Sequence, residues 1–214
     1  MNDTVVRHPR ADGTPRRYNG PAQALHWLTA ALMLAVLPLA WVGTSLAREA
    51  PAKGTYFVLH KSAGLTILAL AVARLAWRLF RPAPPEGDLP RGLALTGRLN
   101  QWLLYAVLLI MPVSGYLLSA YGGRPTPYFW LINLPSFEKS PELHELFERV
   151  HLLGQWALYV LVALHVAGAL WHLVVRRDGV FDRMLPEQRP EACKVRAPAL
   201  ADEAASQPLG RPMT

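Results

Sequence analysis

The chain carries one cysteine, Cys193, in 214 residues. No disulfide can form within it, and without a CxxCH motif no haem is attached through thioethers at such a site. Acidic residues are also scarce: 15 Asp and Glu stand against 22 Lys and Arg, a formal net charge of +7. More telling is where charge of either sign is missing. Residues 18–47, 99–123 and 150–175 hold no Asp, Glu, Lys or Arg, and each run exceeds the ~20 residues needed to cross a hydrocarbon core. A fourth run, roughly 56–80, is broken only by Lys61 near its start and by Arg74 and Arg78 near its end. The first run is too long, and too poor in a small-residue cleavage site, for a removable signal peptide. Four retained spans follow, and the expected fold is all-α, an integral membrane four-helix bundle.

Basic residues set the expected orientation. With four spans, sixteen of the 22 fall on one side, in the N-terminal tail, in the connection between the second and third spans with its flanks, and in the C-terminal tail. Six fall on the other, and the positive-inside bias then places both termini in the cytoplasm. Topology and anionic lipid account for the excess positive charge without a nucleic-acid partner.

Residues 1–17 are polar and basic without apolar periodicity, and the segment from 187 onward spaces Pro190, Pro198, Pro208 and Pro212 among Ala, Glu and Arg. Both read as disordered cytoplasmic tails around a membrane domain spanning 18–186. The connection 81–98 is proline-rich and reads as a short extended crossing into an amphipathic entry to the third span. In the longest connection, 120–149, Ser140 is a plausible N-cap with Pro141 at the first helical position, so the fourth helix is expected to start outside the bilayer. Pro38 and Pro112 are expected to kink their helices.

The charge-free run 150–175 carries His151 and His165, fourteen residues apart. Fourteen residues rise about 21 Å along a helix and return to within about 40° of the same face. One helix thus points an imidazole toward the same side in each leaflet. His26 lies at the cytoplasmic mouth of the first span and His60 at the opposite end of the second. In an up-and-down bundle the four pair by depth, His26 with His165 and His60 with His151.

The spans offer no Cys, Asp or Glu near these histidines, so the further ligands of a zinc or di-iron carboxylate site are missing. Paired neutral imidazoles suit a six-coordinate, low-spin haem iron with both axial positions filled. Two such haems make a path for electrons across the membrane. Small residues follow each ligand within about one turn, at Ala30, Gly64, Gly154 and Gly168, where a flat macrocycle can lie against backbone. Arg74 is fourteen residues after His60 and so sits at the depth of the His26 and His165 pair, where a haem propionate is an available partner for a costly charge. On the other side, Lys61 and Arg124 can serve a second haem's propionates. His172, seven residues after His165, can hydrogen-bond a propionate or line a quinone cleft. His8 and His144 fall outside the bilayer and are rejected as ligands. Trp27, Trp77, Trp102, Trp130 and Trp171 fall near span boundaries and read as an aromatic belt.

The segments ALHWLTA, LHKSAGLTILALAVARLAWRL, YAVLLIMPVSGYLLS, GGRPT, LHELFERVH and ALHVAGALWHLVVRRDGVFDRML together resemble the bacterial cytochrome b561 family across residues 18–186. The resemblance implies an inner-membrane protein with four helices and two b haems, and it makes His26, His60, His151 and His165 their axial ligands in the pairing given by depth. It implies exchange of electrons with ubiquinone or ubiquinol. For a member of the family it also implies oxidation of superoxide at the periplasmic face with the electron passed to quinone, a quinone-linked oxidoreductase in which the cofactors rather than a protein residue carry the chemistry. Two positions depart from the family. His172 is followed by Leu173 where two adjacent histidines are common, and Trp171 stands where a lysine is frequent. Two other readings stay open: a haem-bearing anchor subunit of a larger oxidoreductase or hydrogenase-like complex, which would co-purify with a second polypeptide, and a haem-free transporter, which would be colourless.

Overall fold

The computed structural model describes residues 17–84 and 89–186. Most of both expected tails lies outside these residues. Four helices, α1 (Gly20–Ser45), α2 (Pro51–Phe80), α3 (Arg91–Tyr121) and α4 (Pro141–Trp171), occupy the four apolar runs, and each is long and apolar enough to cross a membrane. The chain is a multi-pass membrane four-helix bundle. Helices α1 and α3 continue through Pro38 and Pro112.

The helix starts are fixed by residues visible in the sequence. Asn19 caps α1 by accepting a hydrogen bond from Ala22 N–H at 3.2 Å, and its Oδ1 also accepts from Trp77 Nε1 at 3.0 Å, tying the start of α1 to the end of α2. Ser140 caps α4 through Leu143 N–H, with Pro141 in the first turn as expected. In a medium without water a hydroxyl inside a span must find its partner in protein. Thr29, Ser62 and Thr66 accordingly return their Oγ–H to the carbonyls of Leu25, Val58 and Ser62 one turn back.

Close packing is uneven. Helix α1 packs against α2, α2 against α3, and α3 against α4, whereas α4 makes few close approaches to α1 or α2. The mid-membrane core is Val36, Ala63 and Ile67, with Leu32, Met33, Leu37 and Leu108 packed around it, so it belongs to α1, α2 and α3. In α4 only Leu158 is fully buried. A gap therefore runs between α4 and the α1–α2 pair.

The connection 122–140 contains an element the sequence reading did not anticipate, a two-stranded antiparallel hairpin of β1 (Thr126–Tyr128) and β2 (Ile132–Leu134). Its turn is closed by Leu131 N–H to Tyr128 C=O at 2.9 Å, and both central residues, Phe129 and Trp130, have positive φ, at 44° and 60°. Bulky residues in that region cost on the order of 1–3 kcal/mol each.

At the opposite end of the bundle the chain termini are clasped together. Helix α4 ends in a π-helical turn, His172–Arg176, followed by Arg177 in the left-handed region and a 3-10 turn, Phe181–Met184. This segment folds back under α1. Tyr18 N–H donates to Arg183 C=O at 2.9 Å, Trp27 Nε1 to Met184 C=O at 2.8 Å, and Arg17, at the edge of the expected tail, to the carbonyls of Leu185 and Pro186. Buried Gln23 holds the centre, its Nε2 reaching the carbonyls of Tyr18 at 2.9 Å and Leu185 at 2.8 Å.

Replacing Gln23 with Leu keeps the volume, removes this donor from Tyr18 C=O and leaves Leu185 C=O to Arg17 alone, which costs about 1–3 kcal/mol. The expected outcome for Gln23→Leu is faster proteolysis after Arg177 and Arg183 in detergent solution than in wild type. Unchanged cleavage would show that the clasp does not depend on Gln23.

Candidate cofactor site

Each imidazole is placed by its position along a helix. His26 is seven residues into α1 and His165 seven from the end of α4; His60 is ten into α2 and His151 eleven into α4. The structure brings them together in the two pairs expected from depth. The rings of His26 and His165 lie 6.1 Å apart, centroid to centroid, at 72°. Those of His60 and His151 lie 6.4 Å apart at 84°. Both pairs bridge the gap between α4 and the α1–α2 pair.

Around His60 and His151 the gap widens into an apolar cavity of ≈ 330 Å³ lined by Val36, Leu37, Phe57, Leu108, Met111 and Leu158 among others. Lys61, Arg124 and Thr126 stand at the same cavity. Gly64 lines it too, and a Cβ there would meet no atom within 4 Å. Gly168, one turn after His165, is equally open. Gly154 is not, because a Cβ there would lie 2.5 Å from Met111 Sδ. The space expected at that position is filled by the methionine. Gly115, across from it on α3, is needed for a different reason: a Cβ would lie 2.9 Å from His151 Cε1.

Hydrogen bonds orient one pair. His60 Nδ1 lies 3.0 Å from Val36 C=O, and His151 Nδ1 lies 3.0 Å from Met111 C=O and 3.2 Å from Ser114 Oγ. A carbonyl only accepts, so Nδ1 carries the proton in both rings and Nε2 keeps its lone pair for a metal. Val36, Met111 and Ser114 are partners that sequence reasoning missed, since a main-chain carbonyl leaves no signature in residue identity. Neither His26 nor His165 has such a carbonyl partner among the described residues.

The charged candidates divide. Arg74 lies with its guanidinium 5.4 Å from the Tyr105 ring centroid, close enough to His26 and His165 for its charge to act on both. Half-buried and without a hydrogen-bond acceptor among the described residues, it presents five donors to an anion. Lys61 already gives its ammonium to Pro125 C=O at 3.1 Å. His172 faces neither imidazole pair closely enough for a ring contact; its Nδ1 lies 2.8 Å from Asp178 Oδ2. Arg176 Nε donates to that same oxygen at 2.9 Å, and Val180 N–H to Oδ1 at 3.3 Å. His144 is held by Leu118 C=O at 2.7 Å, outside the paired set.

The donor chemistry fits a metal held from two sides rather than a closed metal cage. Two imidazoles bound to opposite faces of one ion, with metal–nitrogen bonds of about 2 Å, have ring centroids about 6 Å apart. Both pairs meet that spacing, and no cluster of three or more His, Cys, Asp or Glu with metal-holding geometry occurs among the described residues. Gly64 and Gly168 leave open space near the pairs, where a bound group could supply further coordination.

Known proteins resemble this chain over most of its length. A family model described as prokaryotic cytochrome b561 matches residues 17–187. Cytochrome b561 homolog 2 of Escherichia coli K12 is 31% identical over 180 residues, which are 80% of this chain and 93% of that protein. A probable superoxide oxidase CybB of Yersinia pestis is 28% identical over 180 residues, covering 81% and 98%. Cytochrome b562 of Cereibacter sphaeroides is 27% identical over 167 residues, covering 75% and 90%.

Asp178 supplies a pH test of the terminal cluster. Burial alone would push its carboxyl up, but the hydrogen bonds with His172 and Val180 and the charges of His172 and Arg176 together hold it below the ordinary value of 3.8. A lowered carboxyl contributes stability that is complete above the ordinary value and lost as pH falls below it through the folded value. The Val180 amide should therefore lose hydrogen-exchange protection, after correction for intrinsic rate, only below about pH 4. In Asp178→Asn that step disappears; a step retained in the variant would assign it to another group.

Proposed function

This chain belongs to the prokaryotic cytochrome b561 family, whose haem b electron-transfer role in the bacterial membrane is the premise from which we propose that it holds two b haems. One sits between His26 and His165 and the other between His60 and His151. The observation that carries this reading is the equal spacing of the two imidazole pairs, 6.1 and 6.4 Å, on opposite halves of one bundle. Held between such paired imidazoles, a haem would supply one-electron transfer.

The protein's own groups set binding and access. The carbonyls of Val36 and Met111 fix the tautomers and ring planes of His60 and His151. Gly64 and Gly168 keep the gap free of side chain. Arg74 offers its unpaired donors to a propionate at the His26 and His165 end, and Arg124 with Lys61 does so at the other. The Lys and Arg bias puts the His26 end and both termini in the cytoplasm of a bacterial inner membrane. On that side electrons are exchanged with ubiquinone, and His172, oriented by Asp178, is a group able to hold or pass a proton there. On the periplasmic side a one-electron donor, superoxide or a redox protein, meets the cavity mouth. Two features support an anionic donor: the name of the Yersinia pestis relative and the positive charges of Lys61 and Arg124 at that mouth.

A reduced minus oxidised spectrum with pyridine haemochrome quantitation tests the reading on wild type, His26→Ala and His151→Ala. Two b haems per chain in wild type, with each substitution removing a different one, is the expected result. A colourless protein, or the same haem lost in both variants, overturns it. Arg74→Gln should also lower one midpoint potential, by on the order of tens of millivolts, because a buried positive charge favours the reduced state. A redox titration showing both potentials unmoved would remove Arg74 from the site.

A further inference from the structure

The β1–β2 hairpin belongs to a connection between spans, yet its hydrogen bonds lead into the membrane. Phe129 N–H donates to Ser62 Oγ at 2.7 Å, and Tyr128 OH pairs with Thr66 Oγ1 at 3.2 Å. Ser62 and Thr66 stand 11 and 15 residues after Pro51 at the start of α2, about 16 and 22 Å along its axis. A 30-residue helix overhangs a ~30 Å hydrocarbon core by only about 7 Å at each end. With α2 centred on the core, both partners of the hairpin would lie below its outer boundary. The returning chain dips as well: Tyr116, five residues before the end of α3, donates its hydroxyl to Pro135 C=O at 2.8 Å.

At this depth the hairpin turns its apolar side outward. Four consecutive residues are exposed, Phe129 at 38%, Trp130 at 60%, Leu131 at 79% and Ile132 at 62%. Two of its tip amides are satisfied within the protein, Phe129 N–H by Ser62 and Leu131 N–H by the turn, and Pro127 has none. The turn itself is the second observation. Positive φ at both central positions is the geometry that Asn-Gly or Gly-Gly serves best, and this chain places Phe and Trp there against their backbone preference. Such a choice makes sense where the tip must be apolar and a tryptophan is at home, as in the boundary region of a bilayer. Strand β1 packs against α2.

We propose that the hairpin 126–134 is a membrane-seated element, with the tip Phe129–Ile132 inserted among the acyl chains of the leaflet on the His60 and His151 side. Its occupant is lipid, not water and not a second copy of the chain. Thr126 at the root of β1 lines the His60 and His151 cavity, so the seated hairpin forms part of the wall between that cavity and lipid. The inference rests on the spans and the hairpin alone, independent of whether haem is bound.

The test uses the full chain in liposomes of phosphatidylcholine and phosphatidylglycerol. Leu131→Cys in a Cys193→Ser background gives a single thiol at the tip, labelled with an environment-sensitive fluorophore. The expected result is blue-shifted emission, strong quenching by lipids carrying a nitroxide on the acyl chain, and at least a fivefold weaker response to aqueous iodide than a label at Lys139→Cys. Quenching by iodide as strong as at position 139 would place the tip in water and overturn the proposal. Protection from both quenchers, with disulfide cross-linking of two chains through position 131, would make the tip an interface between copies and overturn it equally.

Discussion

The structure depends on holding one helix close to a single neighbour and away from two others. Helix α4 packs on α3 and stands off from α1 and α2, and the imidazole pairs lie across that separation. Were α4 to close on α1 and α2 as tightly as α1 closes on α2, no volume would remain between the rings. The spacing is kept by what is small and what is large: glycine at 64 and 168 leaves open space, while Met111 occupies the place beside Gly154 and Gly115 admits the His151 ring. With hydrocarbon rather than water around the bundle, such a gap calls for an apolar filling.

The same lack of water explains the ends of the bundle. Polar groups that would be left to solvent in a soluble protein are closed onto main-chain carbonyls here. At one end Gln23, Trp27 and Arg17 hold the C-terminal segment by its carbonyls; at the other, Ser62 and Lys61 of α2 hold the hairpin connection by Phe129 N–H and Pro125 C=O.

The four spans and the histidine pairing were legible in the sequence because each rests on periodicity. Missing charge over ~20 residues marks a span, and fourteen-residue spacing returns an imidazole to its face. The Ser140 cap of α4 was legible for a similar local reason. The hairpin was not, since three-residue strands carry no alternation to detect and the Phe129–Trp130 turn contradicts the turn chemistry that would signal it. Asp178, the first acidic residue after the last span, was available as a signal for His172; the π-helical turn that brings the two together left no mark in residue identity. The filling of the Gly154 position by Met111 depended on a side chain from another helix.

The two imidazole pairs are alike in spacing and unlike in support, and the difference has a direction. An imidazole whose Nδ1–H is given to a carbonyl is the more basic ligand, which describes His60 and His151 and neither His26 nor His165. Under the proposed ligation the more basic pair favours the oxidised state of its metal. At the other pair the half-buried Arg74 charge favours the reduced state. Lys61 and Arg124 oppose this at the His60 end, but Arg124 is exposed, where solvent screens its charge. Under that ligation the ring hydrogen bonds would favour an electron at the His26 and His165 end, with half-buried Arg74 and half-buried Lys61 acting at opposite ends.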